Sequence, residues 1–108
     1  RILVTVSPVN LWATFRRDLA VISASCNSKS TLRAAADDFV SRHDNTFYFP
    51  AYEMATIYQP LTGRTYFAEG RENFHVNKRT VKFIMNHFFS WYAPSEPFEP
   101  FELAELNL

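Results

Sequence analysis

The segment RENFHVN places a carboxylate, Glu72, three residues before a histidine, His75. An imidazole exchanges a proton near neutral pH, and a carboxylate that accepts a hydrogen bond from Nδ1–H holds the ring in orientation. The pair therefore has the composition of a general base and its orienting acid. Glu-x-x-His also arises by chance, and from spacing alone an ordinary polar loop is the more common interpretation.

Two other patterns allow different chemistry. Glu-x-x-His at helical spacing is half of a carboxylate-bridged di-iron site, but the second motif and the further inward Glu residues that such a site needs are not visible, so we expect no metal and no cofactor. The segment NSKS (residues 27–30) at a predicted helix start offers N–H groups and Lys29 to an anion, although helix capping explains the same residues. Cys26 beside it has no identifiable base to activate it.

Composition excludes several classes of protein. The 108 residues are 47% hydrophobic and 17% aromatic, which is typical of one small folded domain. Gly63 and Gly70 are the only glycines, so a phosphate-binding loop and a dinucleotide fingerprint are both excluded. The apolar runs are far shorter than the roughly 20 residues of a membrane span, so we expect no membrane partner. A single cysteine, Cys26, fits a reducing compartment such as the cytoplasm.

Charge is unevenly distributed. Residues 1–92 hold all 11 basic residues and seven acidic ones, a net charge of +4, whereas residues 93–108 hold four Glu and no base. The mild basic excess lacks the clustered stripe of nucleic-acid-binding proteins, so we expect no nucleic-acid partner. The same division predicts a folded domain over residues 1–92 and an acidic Pro/Phe-rich tail over residues 93–108. The tail is either a solvated strap or a segment that docks through Phe98 and Phe101.

Apolar patterning predicts the strands. A β-branched run at residues 2–6 predicts a strand buried on both faces, and TFYF at residues 46–49 predicts a second strand. Residues 11–15 and 19–25, on either side of the polar turn RRD, predict an inserted β-hairpin.

Helical periodicity predicts two main helices. The first extends from Ser30 to about His43, with Ser28 or Ser30 as its candidate cap, and the second extends from the N-cap Asn77 to about Tyr92. Between them, residues 51–75 predict an irregular loop with one short helical turn.

A strand, a helix and a second strand in succession indicate a layered α/β fold with a short parallel sheet. In such sheets ligands bind beyond the carboxyl ends of the strands. Ser7 follows the first strand at that edge and is a candidate substrate-binding residue, and the loop that leads to His75 could return there.

Four blocks of the sequence resemble, in this order, the later part of the GSCFA family: ILVTVSPV, SCNSKSTLRAAADDFV, FYFPAYEMATIY and FHVNKRTVKFIMNHFF. The resemblance covers most of residues 2–92. It implies a flavodoxin-like, SGNH-type three-layer sandwich and, by relation to the SGNH (GDSL-like) hydrolases, hydrolysis of an ester.

The resemblance also implies roles for particular residues. SGNH enzymes carry Asp-x-x-His near the C-terminus, and ENFH falls where that motif is expected, with Glu72 in place of Asp and with Val-Asn after the histidine in place of Pro-Ser. His75 is then the general base and Glu72 its orienting acid. The Gly-Ser-Cys-Phe-Ala motif is not in this chain, nor are the glycine and asparagine blocks that supply oxyanion donors in SGNH enzymes.

The chain opens at Arg1 directly in a strand-like run, so we expect it to be the C-terminal part of a larger hydrolase that acts on an ester-type small molecule or glycan. Without nucleophile and oxyanion donors, this chain alone is predicted to be inactive. An uncovered sheet edge predicts self-association. The alternative is a non-catalytic interaction module that uses exposed aromatics, Trp12 and the Phe-rich tail.

Overall fold

A computed structural model describes residues 1–58, 61, 63 and 75–93, which form a mixed α/β unit. In chain order the elements are β1 (Ile2–Val4), α1 (Val21–Arg42), β2 (Thr46–Tyr48), α2 (Ala51–Glu53) with a π-helical turn (Met54–Tyr58), and α3 (Lys78–Tyr92). The predicted mixed α/β class and the two main helices are confirmed. The three-layer sandwich stays a prediction, and so does the division between domain and tail, since the tail beyond residue 93 lies outside the described residues.

The two strands form a parallel pair in which Leu3 lies opposite Phe47. Just beyond the strands, Phe49 N–H donates to the Val4 carbonyl at 2.8 Å, and Thr5 Oγ1 donates to the Phe49 carbonyl at 2.7 Å. A parallel pair needs a long crossover connection, and α1 supplies it. Both strands therefore end at the same edge of the sheet, as predicted.

The turn between α1 and β2 contains Asn45. Asn45 has a φ of 60°, a left-handed conformation that asparagine tolerates better than most residues. Its carbonyl accepts the Ile2 N–H at 2.9 Å, so the turn leads directly into the strand pair. The first strand is shorter than predicted and is not buried on both faces, because Ile2 and Leu3 are both exposed.

The predicted hairpin is wrong. Residues 11–20 contain no strand, and α1 begins at Val21, nine residues before the predicted start. The buried residues of α1 recur at helical spacing, and they are Ala24, Ser25, Lys29 and Ala36. Packing of this face outweighs the strand preference of the Val21–Ile22 pair. The N-cap is Ala20, without a side-chain hydrogen bond, so the cap expected at Ser28 or Ser30 is also wrong.

Hydrogen bonds join the segment after β1 to α1 instead of to another strand. Leu11 N–H donates to Ser25 Oγ at 3.2 Å, and Ser25 Oγ donates to Asn10 Oδ1 at 3.1 Å. Because Ser25 is buried, these two bonds satisfy its hydroxyl and fix the path of the chain beyond β1.

Helix α3 begins as predicted and completes the core. Asn77 is its N-cap, with its side-chain oxygen accepting Thr80 N–H at 2.8 Å. Ile84 is buried in a cluster with Phe49, Ala51, Met54 and Ala55. Three aromatic rings of α3 also meet the Phe49 ring edge-on at 5.6 to 6.0 Å, and they are Phe88, Trp91 and Tyr92. The loop predicted over residues 51–75 is therefore helical in its first part, because Ala51, Met54 and Ala55 pack against α3.

No helix among the described residues is long and apolar enough to cross a bilayer.

A polar cluster of Arg33, Tyr48 and Glu53 connects α1, β2 and α2. Arg33 Nε donates to Glu53 Oε1 at 2.6 Å, and Tyr48 OH donates to Glu53 Oε2 at 2.9 Å. The Arg33 guanidinium also lies 4.1 Å from the centre of the Tyr48 ring. Burial, together with the hydrogen bond to Glu53, raises the pKa of Tyr48, and the Glu53 hydrogen bond raises the pKa of Arg33.

We expect Arg33→Met to lower the free energy of unfolding by about 1–2 kcal/mol, because it leaves a partly buried carboxylate without its cation. The matched control is Arg42→Met, since Arg42 pairs with Asp38 on the same helix but both side chains are mostly exposed. It should cost less than about 0.5 kcal/mol. Urea unfolding of both variants tests this, and equal losses would contradict the role given to the cluster.

Candidate functional site

His75 lies beside the sheet edge at which β1 ends. It is exposed, two residues before the N-cap of α3, and lines a cavity of about 280 Å³. The other lining residues come from the segment after β1, from α2 and from the start of α3, and they are Pro8, Val9, Ala51, Val76, Val81, Ile84 and Met85. The structure thus brings the His75 segment to the carboxyl end of β1, where the sequence placed the ligand site.

The cavity combines one titratable group with an apolar wall. Among the described residues of its lining, His75 is the only ionisable one, and the other seven are aliphatic, proline or methionine. Val81 and Met85 of α3 are 46% and 37% exposed, so their side chains are available to an apolar ligand. An imidazole at the border of such a surface can exchange a proton with a ligand whose hydrocarbon part packs against the wall.

Of the other two predicted site residues, the structure describes Ser7 but not Glu72. Ser7 is exposed, and its Oγ accepts the Val9 N–H at 3.2 Å, which shapes the turn that presents Pro8 and Val9 to the cavity. Ser7 itself does not line the cavity. Glu72 lies outside the described residues, so its contact with His75 stays a prediction.

The anion site suggested by NSKS is wrong. Residues 27–30 lie inside α1, where helical hydrogen bonds use the backbone N–H groups that a helix start would leave free. Lys29 is instead 8% exposed on the face that carries Ser25, and burial lowers its pKa. The pattern of small and polar residues around Lys29 gave no sign of this burial. Cys26 is exposed, as a free thiol.

The two other histidines lie away from this cavity. Nδ1–H of His43 donates to the Phe39 carbonyl at 2.8 Å, and Nδ1–H of His87 donates to the Phe83 carbonyl at 2.9 Å. His87 lines a separate aromatic cavity of about 400 Å³ that includes Trp91. In the described ranges, no three His, Cys, Asp or Glu side chains come together as a metal site would require.

Sequence reasoning expected His75 near the sheet edge but missed the wall of the cavity. Val81 and Met85 of α3 are partly exposed, and their exposure depends on which neighbours cover that face of the helix. The sequence contained one indication of this wall, the segment TVSPV, which places Pro8 and Val9 directly beyond a strand of a parallel sheet.

We expect Lys29→Met to raise the free energy of unfolding at neutral pH by about 1–3 kcal/mol, because it removes a buried ammonium and keeps the apolar stem. The pKa of Lys29 in the folded chain lies below its unfolded value of 10.5. At pH values between these two, the unfolded chain therefore binds more protons than the folded chain. The amount by which the buried Lys29 lowers the free energy of unfolding therefore becomes smaller as the pH rises towards 10.5.

Urea unfolding of the parent chain and of Lys29→Met across this pH range measures the difference between their free energies of unfolding. Tyr48 is present in both proteins, so its contribution cancels in this difference. Lys78→Met, at an exposed position, is the control and should change stability by less than about 0.5 kcal/mol. A Lys29→Met variant that is less stable than the parent at neutral pH would contradict the burial cost.

Comparisons with known proteins agree with the resemblance of the four sequence blocks. The family model described as the GSCFA family matches residues 1–88. Comparison with curated proteins and comparison with solved structures give no match. Since the family model matches most of the 108 residues, the chain belongs to the GSCFA family.

Proposed function

We propose that this chain is the C-terminal part of a GSCFA-type acyl ester hydrolase related to the SGNH enzymes, with His75 as general base. The observation that supports this most directly is the position of His75 on the apolar cavity at the carboxyl end of β1. Parallel α/β sheets bind ligands at this edge, and an ester with an aliphatic acyl group suits an imidazole beside an apolar wall.

In this mechanism the nucleophile comes from residues outside the chain, since the Gly-Ser-Cys-Phe-Ala motif is absent from it. His75 takes the proton from the nucleophile as the nucleophile attacks the ester carbonyl carbon. It returns that proton to the leaving alcohol when the tetrahedral intermediate collapses. A water then attacks the acyl-enzyme in the same way, which releases the acid and restores the nucleophile. Glu72 orients the imidazole throughout.

Ser7 and the cavity wall position the substrate. Ser7 Oγ accepts one hydrogen bond from Val9 N–H, so its own O–H can donate to an ester or hydroxyl oxygen of the ligand. The acyl chain packs against Val81 and Met85. The proposed substrate is an ester-type small molecule or glycan, with no cofactor, nucleic acid or membrane involved. A cytoplasmic location is part of the same proposal.

We expect His75→Ala, in a longer GSCFA protein that contains this segment, to lower kcat/KM for a p-nitrophenyl ester by about 10²–10⁴-fold, since it removes the proton acceptor. His43→Ala is the matched control, because His43 is exposed at the end of α1 and its ring bonds to and stacks on Phe39 of that helix. Unchanged turnover by the His75 variant would reject the proposal.

The 108-residue chain by itself should give no turnover above buffer, since it carries neither the family nucleophile motif nor the oxyanion blocks. Turnover by the purified chain that disappears with His75→Ala would show instead that the site is complete within it.

A second candidate is a non-catalytic interaction module, and exposed aromatic side chains favour it. Phe15 is fully exposed and Trp12 is 69% exposed, both on the segment between β1 and α1. Such side chains are typical anchors of protein interfaces. The turnover experiment separates the two functions, because a module needs no proton acceptor at His75.

Self-association through the sheet edge is a further part of the proposal. Ile2 N–H bonds to the Asn45 carbonyl and the Val4 carbonyl accepts from Phe49, so the backbone groups of Leu3, between them, point away from β2. No strand in the described part of the chain pairs with these groups, so they can pair with a strand of a second copy.

We expect Leu3→Pro to abolish self-association of the chain, because proline removes the outward N–H without touching the bonds to β2. Leu3→Ala keeps the N–H and should associate like the parent. Light scattering over a concentration series tests this. A parent chain that is monomeric throughout, or a Leu3→Pro variant that associates as strongly as Leu3→Ala, would contradict pairing at this edge.

A further inference from the structure

A row of four aromatic rings lines the aromatic cavity of about 400 Å³. Tyr58 stacks on Phe83 with ring centres 5.4 Å apart. The Phe83 ring lies 4.5 Å from His87, and the His87 ring lies 5.7 Å from Trp91. The last three residues are spaced by four on α3, so their side chains lie on one face of the helix. This aromatic row extends about 12 Å along the helix axis.

The two ends of the aromatic row are accessible. Tyr58 and Trp91 are each 51% exposed, and they carry a hydroxyl and an indole N–H. Apolar ring faces with hydrogen-bond donors beside them are typical of grooves that bind proline-rich peptides in the polyproline II conformation. Proline rings pack on the aromatic rings, and the donors bind peptide carbonyl groups, which have no partner within a polyproline II helix. The aromatic row therefore suits a Pro-x-x-Pro segment.

The tail of this chain contains such a segment. Pro97 and Pro100 are three residues apart, and each is followed by phenylalanine, Phe98 and Phe101. Polyproline II has three residues per turn, so in this conformation both prolines lie on one edge of the segment. They are then about 9 Å apart, which fits within the length of the aromatic row.

The tail also starts beside the aromatic row. Helix α3 ends at Tyr92, the residue after Trp91, and Pro94 cannot continue it. Residues 93–96 have proline in the second position, which favours a β-turn and a reversal of the chain. Pro97 lies within about 14 Å of Ala93, so a reversed tail reaches Trp91. So short a connection raises the effective concentration of the tail at the cavity to the millimolar range.

Charge favours the same contact. Residues 1–92 carry a net charge of +4, and the tail carries four glutamates and no base. Opposite net charges attract the tail to the domain at low ionic strength. Glu53 is the one acidic residue among the described residues of the cavity lining, and Arg33 holds its carboxylate at 2.6 Å. Its charge is therefore offset, and it does not repel the tail.

We propose that the tail folds back on α3 and binds the aromatic cavity of its own chain. Pro97 packs against Trp91, and Pro100 packs further along the aromatic row towards Phe83. The tail and α3 then run in opposite directions. This inference does not depend on the hydrolase activity, because neither His75 nor its cavity takes part in the contact.

Nuclear Overhauser effects (NOEs) in the intact 108-residue chain test the contact. We expect NOEs between side-chain protons of Pro97 or Pro100 and ring protons of Trp91 or Tyr58. A mixture of isotope-labelled and unlabelled chains separates contacts within one chain from contacts between copies. Contacts within one chain support the inference.

Tail variants show whether the prolines make the contact. The double variant Pro97→Ala with Pro100→Ala should lose these NOEs and shift the indole N–H resonance of Trp91. The same resonance of Trp12 should not move, because Trp12 lies on the segment between β1 and α1. Ser95→Ala, in the same tail, is the matched control and should keep both the NOEs and the Trp91 resonance. The substitutions lie beyond α3, so they leave the core of the domain unchanged.

Three results would overturn the inference. The first is the absence of NOEs between the tail prolines and the aromatic row. The second is contact only between different copies, which would make the aromatic cavity a binding site for the tail of a second chain. The third is a Trp91 shift in Ser95→Ala as large as that in the proline variant. Each of these results leaves the role of His75 in hydrolysis to the turnover experiment.

Discussion

The parallel pairing of β1 with β2 is the constraint on which the rest of the structure depends. Two adjacent strands that run in the same direction cannot be joined by a tight turn, so the chain needs a crossover, which is α1. The pairing continues past the strands through Phe49 N–H to the Val4 carbonyl, and Phe49 then becomes the centre on which α3 packs. This packing places the start of α3, and His75 before it, beside the residues that follow β1. The strands have only three residues each, so side-chain contacts from α1 and α3 must hold the pair together.

Features set by local sequence were predictable. Asn77 caps α3 because its side chain reaches the Thr80 N–H, and Pro50 follows the end of β2 because proline cannot donate to the ladder. The turn at Asn45 follows from the tolerance of asparagine for a left-handed backbone. These elements depend on residues within a few positions of one another, so the pattern of the sequence contains the information.

Features set by contacts between distant segments were not predictable. Residues 19–25 alternate in a way that fits a strand, yet Ser25 bonds to Asn10 and Leu11, and the segment joins α1. The cavity beside His75 is built from three separate parts of the chain, and its wall depends on which side chains of α3 stay uncovered. Burial of Lys29 is likewise a property of packing, since it has no sequence neighbour that indicates it. Membership of the GSCFA family was recognisable because four ordered blocks carry it.

In the proposed function, His75 and the apolar cavity beside it form the proton-transfer and acyl-binding part of a hydrolase site completed by residues outside this chain. A crystal structure of a longer GSCFA protein that contains this segment, inactivated by an alkyl fluorophosphonate, tests it most directly. We predict that the phosphonylated oxygen or sulfur lies about 3 Å from a ring nitrogen of His75, with the alkyl chain against Val9, Val81 and Met85. A phosphonyl group attached far from His75, or an alkyl chain outside this cavity, would contradict the account.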